Sequence, residues 1–166
     1  MAEVNRREIY RYLGIKGQQE PDLQTKALVE DCLEELERSV NCRSFYRRYP
    51  LTLLPDSELD FTCFKVKSRA LSRNLKDCQE VILFAATLGA VVDLLLRRYS
   101  RLSMSRAVVL QACAAARIES YCNEINDKLK AEAAEEGLYL RPRFSPGYGD
   151  LPLSCQPDFC RVLEAE

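Results

Sequence analysis

Ala112-Cys113-Ala114-Ala115-Ala116 forms the middle of the longest helix that the sequence predicts, from Ser105 to about Glu136. Gly137 follows as its C-terminal stop, because glycine adopts the left-handed conformation that ends many helices. The run of small side chains allows another element or a ligand to approach the helix closely. The chain is therefore organised around one long, alanine-rich helix.

Shorter elements precede this helix in mixed order. The pattern predicts helices over residues 5–13, 22–40, 68–75 and 89–101 and strands over residues 45–54, 59–66 and 80–87. Asn5 is a suitable N-cap for the first helix, which we expect to stop at Gly14 and Gly17. Because helices and strands do not alternate regularly, the order predicts an α+β fold, and the 166 residues suit a single domain.

Composition limits the classes of function. The 24 basic and 25 acidic residues give no electrostatic reason to propose a nucleic-acid partner. Histidine is absent, which excludes His-dependent triads and a histidine ligand to cobalt from this chain. The longest apolar run, residues 81–96, contains Asp93 and is too short for a membrane span. Residues 1–11 lack the apolar core of a signal peptide, so we expect a cytoplasmic protein.

The chain has eight cysteines, many for its length. A disulfide framework implies secretion, which the N-terminus argues against. The nearest pair, Cys155 and Cys160, does not have the short Cys-x-x-Cys spacing of metal sites. We expect structural thiols and no metal site, with Cys113 and Cys122 as small core residues. Cysteine number alone supports a thiol-based metal or redox protein as an alternative.

The most informative stretch for function is Arg143-Phe144-Ser145-Pro146-Gly147-Tyr148-Gly149-Asp150-Leu151-Pro152. Pro146 restricts its own φ and favours an extended Ser145, whereas Gly147 and Gly149 allow backbone angles closed to other residues. Such a loop can direct N–H groups, the Tyr148 ring and the Arg143 guanidinium at one small ligand. A structural turn is the alternative, and spacing alone leaves both interpretations open.

Glu119 on the long helix is a second candidate. It shares a helical face with small residues, namely Ala112, Ala115, Ala116 and Cys122. The charged exterior is predicted to run through Arg117, Glu124, Asp127 and Lys128. A carboxylate on an apolar face has to be paired or hydrogen-bonded, because burying it alone is costly. A salt bridge to an arginine such as Arg143 and contact with a ligand both satisfy that requirement.

The loop resembles the Arg-Pro-Ala-Pro-Gly-Tyr-Pro stretch through which the reactivation domain of cobalamin-dependent methionine synthase binds S-adenosylmethionine. Arg143 falls on the family's arginine, Ser145 on its small residue and residues 146–148 on Pro-Gly-Tyr. Upstream, residues 118–121 (Ile-Glu-Ser-Tyr) resemble a helical Ala-Glu-Ala-Phe whose glutamate lies in the ligand site. Downstream, residues 162–166 resemble another helix of the family.

The likeness is greatest to short stand-alone forms from anaerobic bacteria. These share Arg11-Tyr12-Leu13-Gly14 near the start and Ala86-Thr87-Leu88-Gly89 in the middle of the chain. The similar part covers most of residues 80–166, and the likeness is weaker before that. The resemblance implies an α+β fold with an antiparallel or mixed sheet flanked by helices.

The resemblance also implies a function, reductive remethylation of the cobalamin of methionine synthase. The residues that it assigns to S-adenosylmethionine are Glu119, Arg143, Phe144, Ser145, Gly147 and Tyr148. A guanidinium suits the ligand's carboxylate, and a glutamate can accept from its ammonium or ribose. The cobalamin would be held by a partner, the synthase or its corrinoid module, with flavodoxin as a possible electron donor. The chain would then be one component of a methyltransferase, with no catalytic base of its own.

The chain departs from the family at two places. Gly149 follows Tyr148, where the large enzymes have proline. The family also continues past the position of Glu166, with a further ligand-contacting tyrosine, so the resemblance implies that residues 1–166 lack a C-terminal segment. A module that docks on a corrinoid protein without using S-adenosylmethionine is therefore the alternative function.

Overall fold

The computed structural model describes residues 4–15 and 19–165 and has the predicted α+β character. The helices are α1 (Arg6–Tyr12), α2 (Leu23–Ser39), α3 (Arg69–Asn74), α4 (Ala90–Leu102), α5 (Met104–Glu135) and α6 (Gln156–Leu163). The strands are β1 (Arg43–Pro50), β2 (Thr52–Leu53), β3 (Glu58–Asp60), β4 (Lys65–Lys67) and β5 (Glu80–Thr87). None of the helices in the described ranges has the length and apolar character needed to cross a membrane.

The chain forms two compact units. Unit 1 comprises Met1–Arg43 and Ala86–Leu129, and unit 2 comprises Ser44–Ala85 and Lys130–Glu166. Each unit has its own cluster of buried apolar side chains. The assignment of residues 1–166 to one domain stays a prediction.

Unit 1 packs α1, α2, α4 and the N-terminal part of α5 around its cluster. The buried residues are Val4, Ile9, Val29, Cys32, Leu33, Leu36, Leu88, Val92, Val109, Leu110, Ala112, Cys113, Ala114 and Ala116. Cys113 Sγ lies 4.0 Å from the Val29 oxygen, and Cys32 Sγ lies 3.9 Å from the Arg106 oxygen. Helices α2 and α5 therefore approach closely where their side chains are small, as the alanine-rich run predicted.

Local capping explains where α1 and α2 begin. The Asn5 side chain accepts a hydrogen bond from Arg7 N (3.0 Å), and the Asp22 side chain accepts one from Thr25 N (2.6 Å). A side-chain oxygen at this position satisfies an N–H group that has no partner within the helix. The predicted start of the first helix at Asn5 is confirmed, whereas Gly17 lies outside the described residues.

Unit 2 contains most of two small sheets. Strand β1 pairs with β5, while β2, β3 and β4 form an antiparallel sheet in that order. Leu59 in the central strand is opposite Leu53 on one side and Val66 on the other. The unit 2 cluster consists of Leu51, Leu59, Phe61, Val66, Leu71, Leu75 and Leu151, with partly buried residues such as Phe144 packed against it.

Two predicted strands are wrong in extent. The strand predicted over residues 45–54 is divided between β1 and β2, which belong to different sheets. Between them, Leu51 is buried and its N–H donates to the Gln79 oxygen (2.8 Å). The strand predicted over residues 59–66 is a hairpin of β3 and β4. It turns where Asp60 Oδ1 accepts from Thr62 N (2.7 Å), a local bond typical of aspartate in turns.

The other predicted elements are confirmed. Strand β5 has the predicted bounds, and α3, α4 and α5 each begin and end within one or two residues of prediction. Of the stretch 162–166, which resembles a family helix, Val162 and Leu163 are the last two residues of α6, and Glu166 lies outside the described residues. Glu164 follows α6 in the left-handed conformation, with φ of 53°.

Candidate ligand-binding loop

The loop between α5 and α6 is attached to α3 through Asp150. Its Oδ1 accepts hydrogen bonds from Ser68 Oγ and Ala70 N (3.0 Å), and its Oδ2 accepts one from Arg69 N (2.8 Å). Ser68 Oγ in turn accepts from Leu71 N (3.0 Å), so both side chains cap the first turn of α3. The Ser68 hydroxyl, followed by the two N–H groups, lowers the pKa of Asp150 to about 2.

Hydrogen bonds inside the loop set its backbone. Gly147 N donates to the Leu151 oxygen (2.9 Å), Tyr148 N to the Ser145 oxygen (3.0 Å) and Leu151 N to the Tyr148 oxygen (3.1 Å). Gly147 has a φ of +87°, which L-residues with a side chain rarely adopt. The loop is therefore a closed turn held by hydrogen bonds of its own backbone.

Gly149 allows the loop to lie directly on α3. An added Cβ at this position would lie 3.1 Å from the Ala70 Cβ and 3.4 Å from the Phe144 Cζ, and the residue has a φ of +58°. A side chain at this position would therefore crowd both Ala70 on the helix and Phe144 in the loop. The same contact brings Asp150 to the N–H groups of α3.

The aromatic residues of the loop form a partly open surface. The rings of Phe144 and Tyr148 meet edge to face, with centroids 5.4 Å apart and an angle of 86°. Phe144 packs against the unit 2 cluster, whereas Tyr148 is 68% exposed. Phe144 therefore supports the Tyr148 ring from the interior side, and a planar ligand can stack on the exposed ring.

The backbone groups of the loop differ in availability. Among the hydrogen bonds of the described residues, none is donated by the N–H of Phe144 or of Ser145. The N–H of Gly147 is already used within the loop, so only its carbonyl oxygen remains for a ligand. Two predicted site residues thus offer donors, and a third offers an acceptor.

An open cavity of about 470 Å³ lies next to this turn. It is lined by Leu153, Ser154, Gln156, Pro157 and Cys160. A Cβ added to Gly147 would lie 3.4 Å from Leu153 Cδ1, so the turn and the wall of the cavity are in contact. The cavity is open to solvent rather than enclosed.

Arg143 and Glu119 are both exposed, and each interacts with another group of the chain. Arg143 belongs to unit 2 with the rest of the loop, and Glu119 lies on α5 in unit 1. The prediction that Glu119 lies on the buried small face of the helix is wrong. Its role as a ligand residue stays a prediction.

Arg117 occupies the buried position instead, so its predicted place on the charged exterior is also wrong. Its side chain is fully buried, and its Nε lies 2.9 Å from Glu37 Oε1 on α2. The N–H does not point well enough to make a directed hydrogen bond, and neither Nη1 nor Nη2 has a hydrogen-bond partner among the described residues. The buried stripe of α5 includes Arg117 because Glu37 supplies a counter-charge there.

The cysteines are all free thiols. Burial raises the pKa of Cys113 to about 12, so this thiol stays neutral in the core, as predicted. Cys122 is only partly buried. Within residues 4–15 and 19–165, no group of three or more cysteine and acidic side chains is arranged to hold a metal ion.

No model of a known protein family matches this chain, and no curated protein sequence matches it either. The interpretation of the loop therefore depends on its residues and geometry. Among these, the role of Asp150 was missed from the sequence. An aspartate after glycine is common in turns, and nothing local indicates that it caps a helix some 80 residues earlier in the chain.

Proposed function

We propose that this chain is an S-adenosylmethionine-binding module that supports reductive remethylation of the cobalamin of a methionine synthase. The observation that carries the proposal is the loop over residues 143–152, a preformed turn with an exposed aromatic ring and unused N–H donors. Its resemblance to the reactivation domain supplies the ligand and the reaction. A preformed loop favours binding because little conformational entropy is lost when the ligand arrives.

The residues of the loop suit the separate parts of S-adenosylmethionine. The Arg143 guanidinium can form a bidentate pair with the ligand's carboxylate. The N–H groups of Phe144 and Ser145 can donate to the adenine edge, while the adenine plane stacks on Tyr148. Glu119 can accept from the ligand's ammonium or ribose, an assignment that rests on the resemblance alone.

The chemistry requires positioning more than acid–base catalysis. Bound in a partner, cobalamin in its reduced form supplies the nucleophile for the methyl group, so this chain needs no general base. Arg143, Tyr148 and the N–H groups of Phe144 and Ser145 would hold S-adenosylmethionine, whose sulfonium would supply the methyl group, and the chain's part would be to keep that sulfonium in place. The partner is the synthase or its corrinoid module, with flavodoxin as the electron donor, and the location is the cytoplasm.

Calorimetric titration with S-adenosylmethionine tests the proposal, with S-adenosylhomocysteine as a comparison ligand. We expect saturable binding that Arg143→Ala abolishes while the circular dichroism spectrum stays unchanged, since Arg143 is exposed. Arg73→Ala, another exposed arginine of unit 2, is the matched control and should bind like the parent chain. Equal affinity in Arg143→Ala would remove the assignment of the loop.

The alternative is a module that docks on a corrinoid protein without using S-adenosylmethionine. The internal bonding of the loop favours it, because Asp150 and the Gly147 N–H are already satisfied within the chain. A turn that serves only as structure would have the same bonds. Failure of the parent chain to bind S-adenosylmethionine, together with binding to a corrinoid protein, would establish this alternative.

A further inference from the structure

One face of α4 in unit 1 is exposed and carries both apolar and basic side chains. At helical spacing, this α4 face consists of Val91, Leu94, Arg98, Arg101 and Leu102. Val91 is 49% exposed, Leu94 61% and Leu102 67%. The opposite face of the helix packs on the unit 1 cluster through Val92, Leu95, Leu96 and Tyr99. The α4 face thus plays no part in that core.

The exposed apolar surface continues past the end of α4. Met104 follows Leu102 after one intervening residue and is also 67% exposed. Val108, one turn further along α5, is 51% exposed. Single exposed apolar residues are ordinary, but neighbouring ones of this size mark interaction surfaces.

The arginines of α4 form no close ion pair. Among the described residues, Arg97, Arg98 and Arg101 have no carboxylate within ion-pair distance, and Arg98 lies over the Tyr99 ring at 5.7 Å. The pKa of Glu35 is lowered against the effect of burial, by hydrogen bonds from Arg106 and Tyr99 and also by the charge of Arg98. The positive charges of Arg97 and Arg101 are therefore available to an external group.

We propose that the α4 face binds an acidic, amphipathic segment of another protein. Unpaired guanidinium groups favour carboxylates, and the exposed leucines and valine favour apolar side chains at helical spacing. Arg98 lies between Val91 and Leu102 on the same face, so charge and apolar surface are interleaved. Helices that lie on membranes instead separate the two onto opposite faces and often carry aromatic anchors, which this face lacks.

A designed peptide provides the probe. A fluorescein-labelled synthetic helix of about 18 residues, or about five turns, would carry leucines along one face and glutamates beside them. We expect saturable binding by fluorescence anisotropy that weakens as salt is added. Leu94→Ser and Arg101→Glu, in the full chain, should each weaken binding about tenfold. A peptide of equal charge with serines in place of leucines should bind much more weakly.

Matched variants elsewhere in unit 1 control for composition and charge. Leu23→Ser removes a leucine that is 84% exposed, and Arg7→Glu reverses an exposed charge on α1. Both should bind the peptide like the parent chain. The proposal would be overturned by absent binding or by equal losses in the control variants. It would also be overturned by equal affinity for phosphatidylglycerol vesicles, or by self-association through Leu94 in sedimentation. The test is independent of the loop, because S-adenosylmethionine binding is measured separately.

Discussion

Replacement of Glu37 and of Arg117 should affect stability in opposite directions. Arg117 is fully buried and Glu37 is 35% exposed, with Nε and Oε1 separated by 2.9 Å. Glu37→Gln leaves a buried guanidinium without its counter-charge, a change that costs about 3–5 kcal/mol where both partners are buried. Because water partly screens Glu37, we expect a cost below that range, about 2–3 kcal/mol.

Arg117→Met removes the charge itself and keeps an apolar side chain in the core. It also removes Nη1 and Nη2, which are buried without hydrogen-bond partners among the described residues. Each such group carries a desolvation cost of about 1–3 kcal/mol. We therefore expect Arg117→Met to be neutral or to stabilise the fold by about 1–2 kcal/mol, as with other buried ion pairs replaced by apolar residues.

Urea unfolding followed by circular dichroism measures both effects, provided that the free energy of unfolding of each variant falls with urea concentration at the same slope. The double variant Glu37→Gln/Arg117→Met should resemble Arg117→Met, because the unpaired charge is gone. Glu34→Gln, which breaks the exposed pair with Arg38, is the control and should cost less than about 1 kcal/mol. If Arg117→Met destabilises the chain as much as Glu37→Gln does, the reasoning is refuted.

Three further substitutions test the backbone and the loop anchor. The pKa of Asp150 is about 2 in the fold against 3.8 in its ordinary state, so its contribution is present above pH 3.8 and is lost as the pH falls towards 2. Asp150→Asn should lower the melting temperature at pH 7 and reduce the drop in melting temperature between pH 3.8 and pH 2. An unchanged dependence of the melting temperature on pH would contradict the role of Asp150 as a cap. Gly149→Ala should detach the loop from Ala70 and increase its proteolysis, and equal resistance would argue against the close contact. Gly89→Ala should cost about 1–3 kcal/mol for its φ of +93°, with a further cost because the new Cβ would lie 3.2 Å from the Asn41 oxygen; a melting temperature within a degree of the parent would contradict this.

Elements fixed by local chemistry could be predicted, and those fixed by distant contacts could not. The caps at Asn5 and Asp22 act within three residues of their own position, so the starts of α1 and α2 were readable from the sequence. The division of residues 45–54 into two strands depends on Leu51 donating to Gln79, which no local pattern reports. Helix periodicity correctly placed Ala112 on the buried face of α5, because a small apolar side chain needs no hydrogen-bond or ion-pair partner to be buried.

The position of Arg117 shows the same limit for charged residues. Arg117 directly follows the buried Ala116, so it lies at the edge of the buried stripe of the helix. Helical spacing therefore permits either a core or a surface position for it. The residue type favours the surface position, since arginine is rarely buried. The deciding fact is Glu37 on another helix, and that pairing is tertiary. Glu119 was wrongly assigned to the buried face, because the small residues at helical spacing around it suggested a core. Their size does not show which side of the helix faces solvent.

The anchor of the loop also bears on how a ligand would bind. The carboxylate of Asp150 accepts hydrogen bonds from the N–H groups at the start of α3. These donors are therefore not available to the carboxylate of a ligand, which needs a cationic side chain instead. Arg143 carries the guanidinium at the N-terminal edge of residues 143–152 and is exposed. Loss of Arg143 would remove a direct contact, whereas loss of Asp150 would leave the contacts in place and add the entropic cost of ordering the loop. Arg143→Ala should therefore weaken binding mainly through the binding enthalpy, and Asp150→Asn mainly through the binding entropy. Calorimetry measures the two quantities separately and so distinguishes a contact from an anchor.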